Sequence, residues 1–122
     1  MKFVLIALAV IVVVLTVWFL TRKPRQAAVA ITATYDGPIE QYSGGKTLLV
    51  AVHAPWASVW PATADALSKL DLARYDIKLI DADHDKQKVR ELAVTIIPTV
   101  LVFRDGREIA RLPNMISLDQ LP

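Results

Sequence analysis

The sequence predicts an α/β domain, a mixed β-sheet between helices, placed behind one N-terminal membrane-spanning helix. Three observations carry this. Phe3 to Leu20 is an apolar run whose only polar member is Thr16. Beyond it, period-two apolar runs alternate with helical stripes, and the alternation ends in two short runs joined by Asp105-Gly106. With 122 residues, 54% of them hydrophobic and 21% charged, the chain accommodates no more than one small domain besides the apolar run.

The apolar run comes first. Eighteen helical residues at about 1.5 Å each span roughly 27 Å, close to the hydrocarbon thickness of a bilayer. A cleaved signal would have a shorter apolar core followed by a small-residue site. Here Trp18 and Phe19 precede Arg22, Lys23, Pro24 and Arg25, the order of an aromatic belt and a basic flank. The expectation is an uncleaved anchor at 3–20, a basic linker at 21–28 and a domain at 29–122. Three basic residues after the span against Lys2 before it place the domain in the cytoplasm by the positive-inside rule, at the inner membrane of a bacterium. The periplasmic side is the alternative.

Charge and cysteine content narrow the function. Of 14 Lys and Arg, four (Lys2, Arg22, Lys23, Arg25) flank the anchor, which leaves 10 against 12 acidic residues, a net of −2. The pI near 9.0 therefore describes the anchor's flanks, and a nucleic-acid partner loses its support. With no cysteine, the chain can form neither disulfides nor thiolate metal sites nor thiol nucleophiles.

Within the domain, Val29–Thr34 reads as a first strand closed by Asp36-Gly37-Pro38, and Ile39 to Tyr42 as one helical turn. Thr47–His53 is apolar on both faces, the mark of a central strand. Ser58 to about Leu72 carries Val59, Thr63, Ala66, Leu67 and Leu70 on one helical stripe, with Pro61 in the first turn. Ile77–Ile80 is the next strand. Asp83 or Asp85 caps a helix with Val89, Leu92 and Ala93 on its apolar face, which stops before Ile97-Pro98. Thr99–Phe103 and Glu108–Leu112 form a hairpin across Asp105-Gly106. Ser117 and Gln120 have capping-box spacing just before the last residue, so a C-terminal helix is expected to be truncated or absent.

The strand 48–53 followed by Ala54-Pro55-Trp56 and a helix, then Ile97-Pro98-Thr99, then a hairpin with Phe103-Arg104-Asp105-Gly106, resembles the thioredoxin family over roughly 29–121. In that family the strand ends in Trp-Cys-Gly-Pro-Cys, and a cis proline lies opposite the cysteines. Here Trp56 stays and Ala57-Ser58-Val59-Trp60 replaces the redox tetrapeptide, so dithiol chemistry is impossible. The family's buried acid falls at Ala51. A carboxylate without a proton to move is costly to bury, so the two losses agree. The family's helix proline falls at Asp65, and its loop glycine at Asn114, a residue that tolerates the left-handed region.

The resemblance implies that Trp56, Ala57, Val59, Trp60, Ile97, Pro98 and Pro113, with Leu112 and Asn114 beside them, surround the former active site, where the family binds extended segments. It also implies a cis bond at Ile97-Pro98. The two tryptophans are either binding anchors or sheet packing, and Pro98 shapes its loop whether or not anything binds. The expected function is a redox-inactive, membrane-anchored, non-enzymatic module. It would be an accessory or assembly subunit that binds a membrane-protein partner, or else a purely structural subunit whose groove is unused. No cofactor, nucleotide or metal is expected. Asp81-Ala-Asp83-His84-Asp85 lacks the glycine and glutamate of a calcium loop, with Lys86 and Leu92 in their places. Gly45-Lys46-Thr47 lacks the first glycine of a phosphate loop, which would be residue 40, Glu40, and precedes a strand. His53 and His84 have no serine beside them, and His53 reads as a packed histidine.

Overall fold

The computed structural model describes residues 10–14 and 31–122. The anchor 3–20 and the linker 21–28 lie outside the described residues, apart from 10–14, which are helical with every side chain more than half exposed. No helix among the described residues is long and apolar enough to cross a membrane.

The domain is a four-stranded mixed sheet. β1 (Thr47–His53) is central, parallel to β2 (Tyr75–Asp81) and antiparallel to β3 (Thr99–Arg104). β3 in turn pairs antiparallel with β4 (Arg107–Pro113), giving the order β2-β1-β3-β4. Two helices connect it, α1 (Trp60–Ser68) and α2 (Lys86–Glu91), with one-turn 3-10 helices at Ile39–Gln41 and Leu118–Gln120. Period-two geometry sends alternate side chains of β1 to opposite faces, and both faces are covered. Leu48, Val50 and Val52 join Leu101, Ile80, Val94 and Ile39 on one side. Leu49 and Ala51 join Val100, Val102, Ala66, Leu67 and Met115 on the other.

The local signals act as expected at several points. The Asp85 side chain accepts the Lys88 N–H at the start of α2. Asp105 and Gly106 both have positive φ (52° and 77°), the turn that matches strand twist. Ser117 and Gln120 form a reciprocal capping box on the last turn.

Three expectations are corrected. Ile31–Thr34 is not a strand. It runs beside β2 with alternating exposure, but the Thr34 hydroxyl accepts the Ile77 N–H that a ladder carbonyl would take, at 2.8 Å. The first helix ends at Ser68 rather than near Leu72, because the Lys69, Arg74 and Tyr75 N–H groups close turns onto Ala66 and Asp71 and leave Leu72 49% exposed. Ala93 is not on the apolar face of α2. It adopts φ 54° just past the helix end, where the left-handed cap turns the chain outward.

The 31–42 segment is pinned to β2 by one carboxylate. Asp76 accepts the Tyr42 hydroxyl at 2.5 Å and the Thr34 hydroxyl at 2.8 Å. The Tyr42 bond, with help from Thr34, holds Asp76 below the usual carboxylate range, while burial and the facing Asp76 push Tyr42 up to about 12. A depressed carboxylate contributes stability that is lost as pH falls through its folded value. A raised phenol contributes stability that is complete below the unfolded value, about 10, and is lost toward 12. The stability gap between the natural chain and Tyr42→Phe should therefore be widest between about pH 5 and 10 and close on either side. Unfolding curves across that range check it, and a constant gap would show that the ionised bond contributes nothing.

Candidate functional site

The end of the sheet where β1 and β2 finish gathers the residues singled out in the sequence. β1 ends at His53, and tight turns follow: the Ala57 N–H bonds to the Ala54 carbonyl and the Trp60 N–H to the Ala57 carbonyl, each at 3.1 Å. These turns bury Ala57 to 6% exposure, half-bury Val59, and start α1 with Trp60 and Pro61 in its first turn.

The two tryptophans differ. Trp56 is 64% exposed, and its indole N–H reaches the Asp83 carboxylate at 3.0 and 3.1 Å. Trp60 is half-buried, packs against the Leu49–Val100 side of the core, and stacks on the His53 ring with centroids 4.5 Å apart and planes 17° off parallel. Burial pushes the His53 imidazole down, partly offset by Asp81, which favours the neutral form of the stacked ring. His53 is indeed packed, and its partner is Trp60.

Opposite, the Ile97-Pro98 bond is cis, Pro98 is buried, and Ile97 packs on the Val50–Leu101 side of the core. Asn114, at φ 51°, donates its N–H to the Pro98 carbonyl at 2.9 Å. Pro113 is exposed across from Thr99 in the β3–β4 register. Thr63, fully buried on α1, donates its hydroxyl to the Met115 carbonyl at 2.6 Å. The helix, the proline loop and the loop after β4 are thus joined by hydrogen bonds.

These positions belong to a known arrangement. No family model matches the sequence. Solved structures do match: mitochondrial thioredoxin 3 of Saccharomyces cerevisiae in its oxidized form is 25% identical, with a TM-score of 0.53 over 61% of this chain and 69% of that one. Trxlp from Edwardsiella tarda EIB202 is 24% identical at a TM-score of 0.53, covering 61% and 76%. A malarial protein reaches a TM-score of 0.59 at 19% identity, covering 62% and 89%. The chain carries a thioredoxin-like domain.

This thioredoxin-like domain has no cysteine anywhere in its sequence. Where the redox pair is expected stand a buried methyl, Ala57, and the indole of Trp60. Among the described residues no group of three His, Cys, Asp or Glu side chains is placed to hold a metal.

The sequence reading missed two features. Asp83, weighed as a helix cap and as part of a calcium-loop-like run, accepts the Trp56 N–H. A cavity of about 260 Å³ lies beside the proline loop, lined by Ala93, Val94, Thr95, Ile96, Thr99, Arg111 and Pro113. Of the expected groove residues only Pro113 reaches it. Ile96, 46% exposed, opens onto it, and Arg111 closes it by donating to the Leu92 and Ala93 carbonyls at 2.7 and 2.8 Å. Arg111 thereby satisfies carbonyls at the end of α2, a pairing across 18 or 19 residues that no local pattern announces.

Proposed function

We propose that the protein is a redox-inactive, membrane-anchored interaction module, an accessory or assembly subunit that holds an extended segment of a membrane-protein partner at the former active-site end of its thioredoxin-like domain. The observation that carries this is Trp56. A large aromatic side chain stands 64% exposed, fixed by Asp83 through its N–H, beside a site that has lost its thiols. Fixed and exposed aromatics are what binding surfaces use as anchors. The anchor is supported by the apolar run 3–20 and by the exposure of Val10–Val14, each 54–61%, which suits lipid contact. Tethering to a bilayer raises the effective concentration toward a membrane partner, so a weak contact suffices. The flanking charges favour the cytoplasmic face of the inner membrane, with the periplasmic face as the alternative.

One observation favours a second reading, in which the domain only stabilises a larger complex and the groove is unused. Trp60 is committed to the core and to His53, so it offers a partner less surface than its size implies. Trp60→Asp and Ile97→Asp, introduced separately into full-length protein in native membranes, decide between the readings. Under the groove reading each lowers partner co-purification about tenfold or more, as loss of a hot-spot residue does, while the circular dichroism spectrum is kept. Undiminished co-purification by a folded variant leaves only the structural reading. Trp56→Ala, at an exposed position where folding is not at stake, repeats the test.

A further inference from the structure

We infer that the end of the domain remote from Trp56 is a docking face for anionic lipid headgroups, which sets the domain upright on the membrane with the Trp56 end pointing away. The inference rests on the anchor reading above for its tether. Four cations meet at this base. Lys46 precedes β1, Arg74 precedes β2, and Arg104 and Arg107 flank the β3–β4 turn. Lys46, Arg74 and Arg104 line one open cavity of about 510 Å³. Among the described residues no carboxylate lies within ion-pair distance of Lys46, Arg104 or Arg107, although the Lys46 charge helps hold down the nearby Asp76 carboxyl, and Arg74 has only Asp71 at 3.9 Å. Asp71, Asp76, Asp105 and Glu108 are the acids of this end, and two of them are engaged elsewhere, Asp76 by the Tyr42 and Thr34 hydroxyls and Glu108 by Arg111. Arg104 and Arg107 are direct cross-strand partners, a like-charge pair that is unfavourable unless an anion lies against it. The domain as a whole has an acidic excess, so this concentration of unpaired positive charge is local.

The chain's point of entry agrees. Thr34 contacts Asp76 and Ile77, and the Asp36 and Gly37 carbonyls accept from Lys78, so the 31–37 segment runs in the same direction as β2. It therefore comes into the domain from the base. Eleven residue steps from Leu20 to Ile31 reach at most about 38 Å, so a tether ending at Leu20 keeps the domain within reach of the headgroups and leaves the choice of end to the charges. The other end carries Asp81, Asp83 and Asp85, which an anionic surface repels. β2, seven residues or about 20 Å long, separates the two ends and lifts Trp56 clear of the lipid.

The test uses the full chain in nanodiscs of neutral lipid and in nanodiscs with about 30% anionic lipid. Because the sequence has no cysteine, Ala73→Cys at the base and Ser58→Cys at the Trp56 end each give one spin-labelling site. A basic residue near an anionic surface raises residence there about fivefold. Gadolinium chelated at the headgroups should therefore relax the label at 73 at least about fivefold more strongly in anionic discs, and leave the label at 58 unchanged. Added salt should abolish the difference, as should Lys46→Gln, Arg74→Gln, Arg104→Gln and Arg107→Gln combined. The salt titration needs no variant and stands even if the combined substitution unfolds. Equal relaxation at 73 in both lipids overturns the inference. So does stronger relaxation at 58, or lipid proximity that survives the four substitutions while acidic protein partners are lost. If the chain does not float with neutral vesicles, the anchor fails rather than the docking face. Flotation with anionic vesicles, sensitive to the same four residues, then reads the face directly, and its absence overturns it.

Discussion

Leu101→Ala is expected to lower the unfolding free energy by about 2–5 kcal/mol, the largest effect of any single truncation considered for this domain. Leu101 sits mid-way along β3 with no exposed surface, opposite Val50 in the ladder and among Leu48, Val52, Ile80 and Val94. Removing three carbons there leaves a void that its neighbours are poorly able to fill. β1 on one side is itself held between two other strands, and β-branched Val50 and Val52 have few rotamers with which to follow. Leu112 on the edge strand is only half-buried, so Leu112→Ala should cost distinctly less. Denaturant unfolding of the full chain in mild detergent gives both values. A Leu101→Ala loss no larger than that of Leu112→Ala would mean that this side of the core collapses freely, contrary to the packing described.

That core was the most legible part of the sequence, for a physical reason. A strand covered on both faces has no polar position, and Thr47–His53 announces it without any partner being known. The Asp105-Gly106 turn and the Asp85 cap are likewise local, since the residues that make them also encode them. What escaped the sequence depends on partners far along the chain. Val29–Thr34 has strand composition, yet Thr34 takes the Ile77 N–H with its side chain, so the described part, 31–34, lies beside β2 without entering the ladder. At the site, Trp56 and the Ile97-Pro98 bond were recognisable by resemblance. The Trp56–Asp83 bond spans 27 residues and the Thr63–Met115 bond spans 52, beyond the reach of any periodicity.

The Thr63–Met115 bond carries the second large effect. Thr63→Val keeps the shape of the side chain and removes its donor, so the Met115 carbonyl loses the 2.6 Å bond at a residue with no exposed surface. Leaving a buried acceptor unsatisfied costs about 1–3 kcal/mol, and Val in place of Thr returns little because both are β-branched. Thr63→Ser keeps the hydroxyl and loses only a methyl, so it should retain most of the stability. The consequence reaches the site because the bond is one link of a chain. Thr63 ties α1, and with it Trp60, to Met115, and Asn114 next to Met115 ties the same loop to Pro98. Loosening the first link frees the 113–116 loop from the helix while its bond to Pro98 remains. Amide hydrogen exchange should therefore speed at Met115 and Ile116 in Thr63→Val before it changes in β1. If exchange rises uniformly through the sheet instead, Thr63 acts on the whole fold, and the three pieces around the former active site are not held together by this bond.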